Sequence, residues 1–211
     1  MKNSKKWIDI SQPLNNQIAH WPEDTPFAYE VSYSKEETGS VNIGQIITST
    51  HIGTHIDAPF HFLNEGTRVI DLDINLYIGT CRIIDVSPHF EINEKVLREF
   101  PLDGITRLLI KTHIPNNPHE FPKEIPFITK EGASYLGQKG IKLLGVDVPS
   151  VDPLDSTELE AHHSLHGNGI HILENVMLDQ VEPGEYELIA LPLPIESGDG
   201  SPVRAVIRPI S

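Results

Sequence analysis

Between Thr50 and Phe62 apolar and polar side chains alternate with a period of two. The even positions read Thr, Ile, Thr, Ile, Ala, Phe, Phe, and the odd positions from 51 to 61 read His, Gly, His, Asp, Pro, His. Successive side chains of a strand point to opposite faces, so the pattern predicts a strand with one apolar face and one bearing His51, His55, Asp57 and His61. His51 and His55 also have the i, i+4 spacing of a helical face, but Gly53, Pro59 and the β-branched Ile52, Thr54 and Ile56 disfavour a helix. A straight strand would separate His51 from Asp57 by about 20 Å, whereas a ligand side chain holds its ion only about 5–6 Å from its own Cα. To share a cation the strand must therefore bend, at Gly53, and Pro59 ends regular pairing beyond it.

Three imidazoles and a carboxylate on one face need either many compensating hydrogen bonds or a cation, and the donor set suits a divalent metal. A second cluster, His162, His163, His166, His171 and Glu174, lies in "AHHSLHGNGIHILEN". Seven of the eleven histidines thus fall in two windows about a hundred residues apart, which points to one site assembled from two segments. The combined groups exceed the needs of one tetrahedral ion, and carboxylates bridge ions well, so a dinuclear site is expected. Spacing alone leaves open which histidines of the second group bind; at least two of the four serve elsewhere.

The rest of the chain frames that site. Strand-like runs occur at 7–11, 42–50, 77–86, 106–113, 141–148, 169–176, 186–193 and 202–210, and helical signals at 93–100 from Asn93, at 129–140 from Thr129, and from 156 with Thr157 and Glu160 as a capping box. The order predicts an α/β fold: one domain over 1–211 with mixed β-sheets and a few helices. The proline-rich stretch at 113–126 reads as an irregular surface excursion. Sixteen basic against thirty acidic residues give a net charge of −14, which repels nucleic-acid backbones and anionic membranes and favours cations. No apolar run approaches the length of a membrane helix, Leu188 to Leu193 being the longest kind present, and the N-terminus lacks a signal-peptide core, so a cytoplasmic location is expected. The single cysteine, Cys81, excludes an internal disulfide and a Cys-rich zinc site, and in "IGTCRIIDV" it reads as core. Glycine-rich nucleotide loops and a Gly-x-Ser-x-Gly elbow are absent.

"HIGTHIDAPFHF" resembles the His-x-Gly-Thr-His-x-Asp-x-Pro-x-His motif of the cyclase-type metal hydrolases. With "WIDISQPL", "GVDVPSVDPLDS", "AHHSLHGNGIHILEN", "YELIALPL" and "GSPVRAVIR", the chain is similar along nearly its whole length to their kynurenine formamidase (arylformamidase) branch. The resemblance implies a swivelling β/β/α-like fold and two divalent ions, zinc in the family. It assigns His51, His55 and Asp57 to one ion and Asp57, His162 and Glu174 to the other, with both carboxylates shared. By the same resemblance His162, twelve residues before Glu174, is the ligand rather than His163, His61 is the acid/base histidine, and Trp21 contacts substrate. Trp7 is left structural, Phe60 and Phe62 join Trp21 as candidates for an aromatic slot, and "IESGDG" at 195–200 is the least typical stretch. The implied reaction is metal-dependent hydrolysis of N-formylkynurenine in tryptophan catabolism by a homodimer. The competing readings are a sister hydrolase opening a cyclic amide such as isatin, and a metal-binding module without a reaction.

Overall fold

The computed structural model describes residues 6–210. Its strands are β1 (Ile8–Asp9), β2 (Ala28–Tyr33), β3 (Ile43–Ile47), β4 (His55–Asp57), β5 (Ile78–Asp85), β6 (Glu91–Ile92), β7 (Arg107–Lys111), β8 (Phe127–Ile128), β9 (Leu143–Val146), β10 (His171–Glu174), β11 (Gly184–Ile189), β12 (Gly200–Pro202) and β13 (Val206–Pro209). The helices are α1 (Lys35–Thr38), α2 (Glu94–Leu97), α3 (Lys130–Gln138) and α4 (Glu160–Gly167). Nine strands form one mixed sheet in the order β1, β13, β11, β5, β7, β9, β10, β4, β12. Its centre, β5, β7, β9 and β10, is parallel, and both flanks are antiparallel. Among the described residues no helix is long and apolar enough to cross a membrane.

Parallel strands covered on both faces need apolar residues at every position. Leu108, Leu109 and Ile110 of β7 and all four residues of β9 are buried accordingly. Alternate side chains feed two cores. Leu108, Ile110, Leu144 and Val146 pack with Val96, Leu136 and Leu165 of the helices, while Leu109, Leu143 and Leu173 meet Ile56, Cys81 and Ile207 on the other face. Cys81 is core, as expected, and burial pushes its thiol up to about 12.

Asn93 and Thr129 cap α2 and α3 as predicted, accepting from the backbone N–H of Val96 and Gly132. The capping box at Thr157 and Glu160 does not form. Leu159 occupies the N-cap in a left-handed conformation, and the Asp152 carboxylate accepts from the N–H groups of Ala161 and His162. A distant acceptor has replaced the local one. The strand predicted across 50–62 is likewise much shorter. Residues 51–54 form a turn through Gly53 (φ 57°), only β4 pairs, and Pro59–His61 is a 3-10 turn. β4 is paired along both edges, by β10 and β12, and all three of its residues are buried. Its alternation separates core from site rather than core from solvent. The pairing of β2 with β3 in a separate exposed hairpin went unrecognised in the sequence, where only the β3 half is evident.

Candidate active site

The register of β4 against β10 places His55 opposite Glu174 and Asp57 opposite Ile172. Glu174 is the last residue of β10, and the loops after β7 and β9 leave the same end of the sheet, so the site forms at the carboxyl ends of the parallel strands, the usual place in open α/β sheets. His55, Asp57, His162 and Glu174 are all buried there. His55 Nε2 lies 3.4 Å from oxygens of both Asp57 and Glu174. His162 Nε2 lies 3.4 Å from Asp57 Oδ2 and 3.8 Å from Glu174 Oε1, and His51 Nδ1 is 2.9 Å from Asp57 Oδ1. Two overlapping groups, His51 with Asp57 and His61 and His55 with Asp57 and Glu174, are close enough to share an ion.

The outward nitrogens of two rings are held by the fold. His55 Nδ1 donates to the Gly53 carbonyl at 2.8 Å, and His162 Nδ1 donates to Asp152 Oδ2 at 2.6 Å. Each bond fixes ring and tautomer and turns Nε2 toward the carboxylates, as at metal sites. The bend at Gly53 is itself fastened. Asn175, in a left-handed conformation (φ 57°), donates to the Gly53 carbonyl, and Thr54 Oγ1 donates to the Asn175 carbonyl while accepting from the Gln12 N–H.

Electrostatically the cluster couples two buried carboxylates to the imidazoles around them. Burial raises the Asp57 carboxyl, but the imidazoles of His162, His51 and His55 beside it outweigh burial and hold the group well below the carboxylate range. Glu174 is pushed up by burial and then by the charge of Asp57. Burial opposes charge on the imidazoles, yet their carboxylate partners raise His51 to about 9 and His55 and His162 to about 10. Asp57 Oδ2 is buried without a hydrogen-bond partner. An orphaned anionic oxygen amid nitrogens that would otherwise hold protons is what a cation-binding set requires, so the residues fit a divalent metal.

The structure brings His51, His55, Asp57, His61, His162 and Glu174 together. His163 and His166 are exposed, and His171 is occupied by the Tyr77 hydroxyl at 2.7 Å. Trp21 stands on the wall of a cavity of about 790 Å³ that His51, His55, His61, His162 and Glu174 also line. Phe60 and Phe62 do not line it. Phe60 lies under the Arg68 guanidinium, and Phe62 packs against the rings of His162, His163 and His166. The second aromatic in the cavity is Phe121, from the stretch at 113–126 that the sequence presents as a surface excursion. Trp7 is exposed with the Arg208 guanidinium over its ring, and it does not line the cavity.

Asp199 also escaped the sequence reading. Thr50 Oγ1 donates to its Oδ1 at 2.7 Å, while Oδ2 lies 3.2 Å from His51 Nε2 and 3.8 Å from His61 Nδ1. The neighbouring imidazoles of His51 and then His61 hold its carboxyl far below the ordinary range. Its neighbour Gly200 explains the unusual "GDG": a Cβ there would stand 2.6 Å from His51 Cε1. A lone acid between two glycines at the end of the chain gave no signal, because only the pairing of β12 with β4 carries it to the site.

The family model described as "Putative cyclase" matches residues 8–153. The kynurenine formamidase of Bacillus thuringiensis (strain Al Hakam) is 63% identical over 210 residues, covering 100% of both chains. That of Bacillus cytotoxicus is 61% identical over 207 residues, covering 98% of this chain and 99% of that one. Isatin hydrolase A from Ralstonia solanacearum shares the fold, with a TM-score of 0.82 at 21% identity, covering 96% of this chain and 91% of its own. The chain belongs to the cyclase family, in the branch of the kynurenine formamidases.

Proposed function

We propose that this protein hydrolyses N-formylkynurenine to kynurenine and formate, as a cytoplasmic, homodimeric enzyme of tryptophan breakdown that uses two divalent ions, zinc by family likeness. The observation that carries the reading is the orphaned, buried Asp57 Oδ2 beside His51, His55, His162 and Glu174, which line an aromatic-walled cavity. Relatives of this length and identity that are kynurenine formamidases supply the substrate. His51, His55 and Asp57 would hold one ion and Asp57, His162 and Glu174 the other. Ions so held supply hydroxide at neutral pH and positive charge for the developing oxyanion.

The remaining work falls to the chain's own groups. In the net reaction water adds a C–O bond to the formyl carbon, the C–N bond breaks, and a proton must reach the departing aniline nitrogen. His61, partly exposed on the cavity wall and not needed as a ligand, is placed to deliver that proton. Trp21 offers its ring to the aryl group. The exposed apolar side chains of the β2–β3 hairpin, among them Tyr33, Ile46 and Ile47, support self-association.

Loss of N-formylkynurenine absorbance on adding metal-loaded protein tests the proposal, and absence of turnover at full metal occupancy defeats it. His61→Ala should keep its metal and lose roughly 10²- to 10⁴-fold in rate. A metal-binding module would have no rate to lose. Opening of a cyclic amide such as isatin has only fold likeness behind it, and a parallel assay on isatin separates the two.

A further inference from the structure

The loop that follows β9 carries a polar group that the fold leaves unused. Val148 and Val151 seat the loop in the core on the helix side of the sheet. Its next contacts are with the proposed ligands themselves. The Val151 N–H donates to Glu174 Oε1 at 3.1 Å, and Asp152 Oδ2 accepts from the N–H and from Nδ1 of His162, at 3.0 and 2.6 Å. Ser150 stands immediately before these two residues and after Pro149, whose φ is fixed by its ring. It is 4% exposed and lies on the wall of the cavity that His55, His162 and Glu174 also line. Ser150 Oγ accepts from the Asp152 N–H at 3.1 Å, and among the described residues that is its only hydrogen bond. The bond holds the side chain in place and occupies the oxygen as an acceptor. The hydroxyl hydrogen is left without a protein acceptor, whereas a buried donor ordinarily has one.

A positioned donor of this kind awaits an acceptor that arrives with the substrate. Two oxygens take part in formamide hydrolysis, the attacking one and the formyl one. A hydrogen bond to the attacking oxygen would withdraw the electron pair that forms the new C–O bond. A hydrogen bond to the formyl oxygen strengthens as negative charge gathers there, and so favours the transition state over the bound substrate. We propose that Ser150 is a catalytic residue whose hydroxyl donates a hydrogen bond to the formyl oxygen while that charge develops. No proton changes hands: the C=O electron pair moves onto the oxygen as the C–O bond forms and returns as the C–N bond breaks. The inference rests on the formamidase reading above for the identity of the oxygen, and its test is separable from it.

The experiment compares metal-loaded Ser150→Ala, Ser150→Thr and Ser150→Val with the parent. Threonine keeps the hydroxyl, and valine has the shape of threonine without it. Alanine and valine should lower kcat for N-formylkynurenine about 10- to 100-fold, the cost of one hydrogen bond to a charged oxygen. KM, metal content by elemental analysis and inhibition by kynurenine should stay unaltered, and threonine should stay near the parent. Formate carries the same oxygen without the aryl group. Its binding, titrated calorimetrically, should weaken about 10-fold in the two variants that lack the hydroxyl. If Ser150→Ala fails to fold, the threonine and valine variants decide by the same readouts. Equal kcat in threonine and valine variants would overturn the proposal, as would a rate loss accompanied by loss of metal, the mark of a loop that only holds the ligands. A rate loss with formate binding unchanged would overturn it too. Hydroxyl-dependent formate binding without any turnover of N-formylkynurenine would sink the formamidase reading and leave the placement of the hydroxyl standing.

Discussion

Asp57 contacts His51, His55 and His162 through two oxygens, one of them without a hydrogen-bond partner. Asp57→Asn keeps the shape and removes the anion on which both proposed ion sites depend, so metal content measured by elemental analysis should fall at both. Retention of two ions per chain would contradict a shared carboxylate. Asp199 acts one step further out, through His51 and His61. Asp199→Asn should lower turnover about 10- to 100-fold at equal metal content, the usual cost of losing an outer carboxylate, and unaltered kinetics would remove it from the arrangement. The contrast shows what could be read directly. His51, His55, Asp57, His61, His162 and Glu174 stand in two dense windows of metal-capable types. Asp152, Asn175 and Asp199 are ordinary polar residues until strand pairing carries them to the histidines.

At the scale of elements, the central strands were legible because burial on both faces demands unbroken apolar runs, as in "RLLIK" of β7 and "LLGV" of β9. The helix starts at Asn93 and Thr129 were legible because their caps are local. Where the partner is remote the signal misled: Asp152 displaced the predicted capping box of α4, and β4 proved to be three residues in a fully buried setting. The bend at Gly53 was foreseeable from geometry and is testable. Its φ of 57° costs a non-glycine residue about 1–2 kcal/mol, and a Cβ would stand 2.8 Å from Leu14 Cδ2. Gly53→Ala should therefore lower Tm by roughly 2–8 °C for a chain of this size. It should also weaken metal binding, because the Gly53 carbonyl orients His55. An unchanged Tm with full metal affinity would show that the turn is not what positions the ring.

Over the whole molecule, sheet order was beyond reach of the sequence, and so was the role of 113–126. That stretch lacks periodicity because its residues serve a cavity wall rather than a repeating backbone ladder. The fold gathers three imidazoles and two carboxylates in one place, and this makes pH a property of the entire fold. In metal-free protein His51, His55 and His162 are raised to about 9, 10 and 10, above the 6.5 of an unfolded chain. The folded metal-free form thus holds more protons than the unfolded one between these values. The stabilisation from those protons is complete below about pH 6.5 and is lost as pH rises through 9 to 10. Metal binding has the opposite sign, since an ion must expel the same protons, so its affinity strengthens over that interval and fails in acid. Because a ligand that binds only the folded state stabilises it in proportion to its affinity, the gap in Tm between metal-loaded and chelator-treated protein should widen steadily from pH 6 to pH 9. Activity should decline on the acid side in step with released metal. A constant gap across that range would mean that metal and protons do not compete for the same imidazoles, and the assignment of His51, His55 and His162 as ligands would fall with it.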